Sequence, residues 1–178
     1  KAESRFTRAA SGGTGSAKTS GNYAPTLWPM ASAAAEGFDQ ILWLDAQEHT
    51  FAEEAGQMNI FFRIGDEVVT PELSGTILPG VTRESALKLL EDWGVNAGTR
   101  RISMEELARA SEDGSLLEIF GAGTAAVIAS VASISYLGKE ISAAPPSSGS
   151  LAERLREELL GIQYGERQDP HNWTHVGG

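Results

Sequence analysis

The chain has 178 residues, 41% hydrophobic and 21% charged, which gives enough apolar material for one packed domain and too little charge for a disordered segment. Its formal net charge of −10 argues against a nucleic-acid surface, which needs clustered Lys and Arg, and leaves a small molecule as the expected partner. With no cysteine, disulfides, thiolate metal sites and thiol catalysis are excluded together, and no apolar run reaches the length of about 18 residues that a membrane helix requires.

Residues 1 to 21 are polar, rich in glycine and serine, and read as loop. They hold no initiator methionine and no charged-then-apolar signal segment, so the start reads equally as a cut from something longer or as a trimmed flexible end. The alanine-rich stretch TLWPMASAAAE, 26 to 36, predicts a helix with Pro29 in its first turn and Gly37 as its stop. QILWLD, 40 to 45, has the length and apolar content of a strand. MNIFFRI, 58 to 64, and EVVT, 67 to 70, read as hairpin arms turned at Gly65-Asp66. A Pro/Gly-rich loop over 71 to 81 leads into a helix over 83 to 93, with Ala86, Leu87, Leu89, Leu90 and Trp93 at helical spacing and Gly94 ending it. A possible strand end lies at 101 to 103, Ser103 is the expected N-cap of a short helix over 104 to 110, and 116 to 120 reads as strand. GAGT, 121 to 124, interrupts two apolar runs, and AAVIASVASISY, 125 to 136, reads as one buried strand. A turn-rich linker over 145 to 149 precedes a final amphipathic helix over 151 to 162. Short strands and helices, with strands more numerous, predict an α+β domain around a strongly twisted sheet or partial barrel.

One stretch carries chemistry: GGTGSAKTSGNY, 12 to 23, sets Lys18 among glycines and hydroxyls. A phosphate-cradling loop needs G-x-x-x-x-G-K-[ST] between a buried strand and a helix start. Here Ala17 replaces the second glycine, ESRFTRAAS is too polar for a central strand, and Gly21, Asn22 and Pro25 do not open a helix after the lysine. A lysine that condenses with a carbonyl cofactor needs instead a desolvated pocket, a partner for the ring nitrogen and N–H groups for a phosphate. Tyr23, Glu54 in AEEAG beside a strand, and the threonines of Val81-Thr82 and Gly123-Thr124 are candidates for these parts. On spacing alone the constellation is weak, because solvated lysines and capping threonines are common.

Taken in order, GGTGSAKTSGNY, EEAGQMNIFF, ILPGVTR, FGAGTAA, IQYG and WTHV resemble the branched-chain amino-acid aminotransferases, members of the fold-type IV (class IV) pyridoxal-phosphate enzymes, through essentially the whole chain. The resemblance implies a large cofactor-binding domain of the D-amino-acid aminotransferase-like fold over 1 to 178, a twisted sheet or pseudo-barrel with flanking helices. The family's smaller N-terminal domain is absent from this chain, so activity of the region alone is expected to be low. Pyridoxal 5′-phosphate is the implied cofactor, and the implied reaction is transamination between branched-chain L-amino acids (leucine, isoleucine, valine) and 2-oxoglutarate. Lys18 would be the Schiff-base lysine and proton shuttle, Tyr23 the partner of the cofactor's phenolic oxygen, and Glu54 the partner of its pyridinium nitrogen. Val81 and Thr82 would hold the phosphate at a helix start, Thr124 would add a second phosphate contact, and Ala125 and Ala126 would offer N–H groups to the substrate carboxylate. A homodimer is implied, with 2-oxo acids as co-substrates, no nucleic-acid, membrane or metal partner, and an intracellular setting that is cytoplasmic or mitochondrial.

Some positions depart from the family's pattern. Ser20 and Gln57 stand where Gly and Thr are usual, and alanines occupy both positions of the CxxC pair that some members carry, which excludes a thiol switch there. A relative acting on another hydrophobic amino acid, a D-amino-acid or aminodeoxychorismate-lyase-like enzyme, and a non-catalytic domain of the same fold stay as alternatives. Glu53 is the rival to Glu54, since strand alternation lets one of the two face the cofactor. Arg83 reads equally as a phosphate ligand or an ion-paired helix residue, Trp93, Phe61, Phe62 and Phe120 read as core, and His49, His171 and His175 lack metal-ligand spacing.

Overall fold

The computed structural model describes residues 1–145 and 149–175, so part of the 145 to 149 linker and Val176 of the WTHV motif lie outside it. Strands β1 (Ala2–Glu3), β2 (Leu42–Leu44), β3 (Ala52–Ala55), β4 (Met58–Ile64), β5 (Glu67–Thr70), β6 (Asn96–Thr99), β7 (Leu116–Gly123) and β8 (Val127–Ser130) form one sheet. A second sheet pairs β9 (Ser133–Tyr136) with β10 (Lys139–Ser142). Four helices flank them, α1 (Leu27–Ala35), α2 (Val81–Asp92), α3 (Met104–Glu112) and α4 (Leu151–Gln163).

Strand β4 organises the molecule. One edge carries β7 from Asn59↔Ala122 to Ile64↔Leu116. The other edge is divided, with β3 on Met58 and Asn59 and β5 on Phe62 to Ile64, so the sheet forks into a β3-β2-β1 arm and a β5-β6 arm. Of the two expected forms, a twisted sheet or a partial barrel, the structure takes the open sheet, with a branch: β1, β6 and β8 are each paired on one side only, and closure would require the end strands to meet.

Side-chain alternation along MNIFFRI separates two cores. Ile60 and Phe62 join Leu44, Val69, Leu107 and Leu116, a face covered by α3 and the β9-β10 hairpin. Phe61 joins Phe120, Leu89, Leu90, Leu155 and Leu159 on the opposite face, under α2 and α4. Phe61 and Phe120 are cross-strand neighbours and stack with centroids 5.0 Å apart. Both phenylalanines of β4 are fully buried, a burial worth roughly 2 kcal/mol each.

Local signals hold where a few neighbouring residues decide the outcome. Pro29 lies in the first turn of α1, Gly65 turns the β4-β5 hairpin at φ +55, and the Ser103 hydroxyl accepts from Glu106 N at 3.0 Å to cap α3. Other expectations are corrected. The 1 to 21 loop contains β1, drawn into a parallel ladder by the free edge of β2. AEEAG is itself strand β3 rather than a neighbour of one. The glycines of GAGT do not interrupt β7, since Met58 of β4 fills the space above Gly121 and Gly123. The run 125 to 136 is not one strand but parts of β8 and β9, which pair in different sheets. Polar NAGT and KEIS, unmarked by periodicity, are β6 and β10. Among the described residues, no helix is long and apolar enough to cross a membrane.

Candidate active site

The loop before Lys18 is shaped by Asn22, which is 4% exposed. Its Nδ2 donates to Thr14 O and Ala17 O, each at 2.7 Å, and its Oδ1 accepts from Thr14 Oγ1 at 2.7 Å. Gly15 lies flat against Thr76, whose backbone would be 2.5 Å from an added Cβ, so no side chain fits there. After Lys18 the chain makes two short 3₁₀ turns, Ser20–Asn22 and Ala24–Thr26, which bring Tyr23 Oη to 3.4 Å from Lys18 Nζ. Residues 9–19 form no strand or helix, so the strand-loop-helix context of a phosphate-cradling loop is missing. Lys18 is exposed, and the desolvated pocket expected around it is not supplied by the described residues.

Glu54 is 3% exposed on β3 and is held from two directions. Arg8 Nε lies 2.8 Å from its Oε2, and Leu78 N donates to its Oε1 at 2.8 Å. Burial pushes the Glu54 carboxyl up to about 7, against the pull of the Arg8 guanidinium and the Leu78 N–H. Arg8 also donates from Nη1 to Thr76 O at 2.8 Å. Glu53, on the other side of β3, accepts from Thr76 Oγ1 at 2.5 Å, and burial raises its carboxyl as well. It lines a separate cleft with Asp45, Glu72 and Arg101, away from Lys18.

A cavity of about 740 Å³ gathers Lys18, Val81, Thr82, Thr124, Ala125 and Ala126 with Met30, Gln57, Met58, Asn59, Leu78 and Gly80. Tyr23 and Glu54 do not line it directly. Tyr23 reaches it through Lys18, and Glu54 through its bond to Leu78 N and its cross-strand neighbour Asn59. Gly80, the N-cap of α2, offers no side-chain cap, so the Val81 and Thr82 N–H groups keep no partner within the helix, and both residues line the cavity. A side chain at Gly80 would strike Asn59 Oδ1 at 2.2 Å, while Asn59 Nδ2 donates to Leu78 O at 2.9 Å. Arg83 takes neither expected role. It is buried beneath the helix start and donates from Nη2 to Pro71 O at 3.0 Å. No cluster of His, Asp and Glu among the described residues could hold a metal, and His171 pairs with Asp92 at 2.6 Å instead.

An amine and an uncapped helix N-terminus on one cavity, with a buried carboxylate one contact behind it, suit an aldehyde-bearing pyridine ring that carries a phosphate. Arg8, Asn22, Asn59 and Leu78 complete this arrangement and were not singled out by sequence reasoning. Arg8 stands in a polar segment with no periodicity, and Asn22, though inside the quoted GNY motif, carries no chemical signature of its own.

A family model for amino-transferase class IV matches residues 3–134, which contain the Lys18 loop, Glu54, the start of α2 and the 124–126 turn. The chain belongs to the class IV amino-transferases. Curated relatives of this class IV chain include branched-chain-amino-acid transaminase 1 and branched-chain-amino-acid aminotransferase 2 of Bacillus subtilis, 47% and 46% identical over 172 residues. Those alignments cover 97% of this chain but 48% and 47% of the relatives, so the chain spans about half the length of the curated relatives it matches. Among solved structures, a branched-chain amino acid aminotransferase from Escherichia coli superposes with a TM-score of 0.81 at 27% identity, covering 97% of this chain and 53% of that one. A branched-chain amino acid aminotransferase from T.th., complexed with N-(5′-phosphopyridoxyl)-L-glutamate, gives a TM-score of 0.80 at 27% identity, covering 97% and 54%.

Proposed function

We propose that residues 1–178 are the large domain of a pyridoxal 5′-phosphate-dependent branched-chain aminotransferase, which works with a smaller N-terminal domain and as a homodimer. The observation that carries this reading is the cavity in which Lys18 faces the uncapped start of α2, with Glu54 locked behind it by Arg8. The relatives' names supply the branched-chain substrate class, and their bacterial sources favour a cytoplasmic setting over a mitochondrial one. Met30, Met58, Ala122 and Ala129 give the cavity an apolar wall suited to a branched aliphatic side chain.

When bound, pyridoxal phosphate supplies an aldehyde and an electron-accepting ring that makes the Cα proton of an amino acid acidic. Lys18 Nζ would hold that group and, when freed of it, would act as the base that moves the substrate's Cα proton. Tyr23 Oη donates to the ring's phenolic oxygen. Glu54, whose charged form the Arg8 guanidinium favours, would pair with the ring nitrogen and keep it protonated. Val81 and Thr82 N–H groups and the Thr82 and Thr124 hydroxyls bind the phosphate, while Ala125 and Ala126 N–H groups take the substrate carboxylate. Leucine, isoleucine or valine would give up the amino group, and 2-oxoglutarate would receive it in the second half-reaction. Since Lys18 is exposed in this chain, exclusion of water from Nζ falls to the smaller domain and the dimer partner.

Reduction of the full-length protein with borohydride in the presence of pyridoxal phosphate, followed by peptide mass mapping, tests the reading. A pyridoxyl mass on the peptide containing Lys18 is expected, together with turnover of L-leucine and not of D-alanine. A full-length protein that folds but takes no label on Lys18 would overturn it.

A further inference from the structure

Val127 opens β8 at φ +58, a left-handed conformation in which a β-branched residue is a genuine outlier and which glycine or asparagine enters far more readily. Two contacts hold it there. Its side chain is 7% exposed within the core that contains Phe61, Phe120 and Leu155, and its backbone pairs with Gly123 at the end of β7. Between Gly123 and Val127 the chain makes the 124–126 turn, whose three residues line the cavity together with Lys18. The N–H groups of Ala125 and Ala126 donate to no acceptor among the described residues. A strained residue therefore supports a turn with two unspent donors at the cavity, and strain of this kind persists where the surrounding structure over-determines it and often serves a site.

We infer that Val127 is a positioning residue: its core-anchored side chain and left-handed backbone keep the Ala125 and Ala126 N–H groups presented to the cavity, ready for a substrate carboxylate. The inference rests on the aminotransferase reading above. Its physical content is preorganisation. Donors fixed by folding lose no freedom when the ligand arrives, whereas the same donors on a loose turn must be ordered by it. Valine adds to the left-handed backbone what glycine would lack, an apolar side chain anchored in the core under α2 and α4.

The test uses the full-length, cofactor-loaded protein and its Val127→Gly and Val127→Ala variants. The probe is 4-methylvalerate, a branched carboxylate without an amino group, titrated by calorimetry beside 4-methylpentan-1-ol, which lacks the carboxylate. Val127→Gly is expected to keep the cofactor and the alcohol within about twofold of the parent, to weaken 4-methylvalerate about tenfold, and to raise KM for L-leucine more than it lowers kcat. Unchanged 4-methylvalerate binding in both variants, or equal weakening of acid and alcohol, would reduce Val127 to a packing residue. If Val127→Gly fails to give a cooperative thermal melt, Val127→Ala decides by the same comparison. A parent protein that takes no cofactor on Lys18 sinks the aminotransferase reading itself, and that result is seen before any variant is made.

Discussion

Arg8 and Glu54 form a buried ion pair, with Nε 2.8 Å from Oε2 and side chains 3% and 4% exposed. The pair joins the segment leading to Lys18 to the strand that carries the expected ring-nitrogen partner, and Thr76 O completes the Arg8 hydrogen bonding. Removing one partner of such a pair leaves a desolvated charge behind. Arg8→Met should therefore destabilise the fold by about 3 kcal/mol or more, measured from the denaturant midpoint, and Arg8→Met combined with Glu54→Gln should recover much of the loss. Additive losses in the double variant would show that the two residues do not act as a pair.

Glu54 also gives a pH signature. Its carboxyl is raised from 4.5 to about 7 by burial, so the folded state binds this proton more tightly than the unfolded chain does. Between these values the folded state holds more protons, and stability falls as pH rises from about 4.5 to about 7, by up to about 3 kcal/mol. Glu54→Gln should flatten the stability profile across this window, leaving the smaller slope of the same sign that Glu53 contributes. Urea titrations at pH 5 and pH 7.5 for parent and variant make the comparison, and identical slopes would contradict it.

Asn22→Ala deletes three hydrogen bonds from inside the lysine loop and leaves the Ala17 carbonyl without its partner, while Thr14 O keeps the Ala17 N–H. The expected cost is about 1 to 2 kcal/mol, the loss of three partly buried hydrogen bonds with one carbonyl left unpaired. Borohydride labelling of Lys18 at limiting pyridoxal phosphate should fall with it. Labelling at the parental level would mean that the loop keeps its shape without this side chain.

Gly121→Ala sets a Cβ 2.9 Å from Met58 Cε and 3.1 Å from its sulfur. The thioether is flexible and lines the cavity, so it should yield at a cost of about 1 kcal/mol while narrowing the apolar wall. In the full-length enzyme kcat/KM should drop more for L-leucine than for L-valine. An equal drop for both would place Met58 away from the substrate side chain.

The elements legible in advance are those whose causes lie within a few residues: the Gly65 turn between two apolar arms, the Ser103 cap, and α2, which begins at Val81, two residues before the expected start at 83. The proposed site was reached differently, because Lys18, Tyr23, Glu54, Val81, Thr82 and Thr124 sit in motifs whose order resembles a family; the structure places Lys18, Val81, Thr82 and Thr124 on one cavity with Tyr23 and Glu54 one contact behind. Arg8 reads as part of a polar loop, β1 and β6 carry no periodicity, and the 125 to 136 run bears no sign that its two halves join different sheets. These outcomes depend on remote edges and remote charges. A strand as weak as NAGT forms because β5 offers it a ladder, and an arginine in a polar stretch becomes structural because Glu54, buried by the fold, needs a cation. The sequence by itself determined the local turns, the helix faces and the chemical types available to a site, since each is set by neighbouring residues. Only the tertiary structure decided the forked sheet, the Arg8–Glu54 pair and the strained support at Val127, since each requires segments distant in the chain to meet.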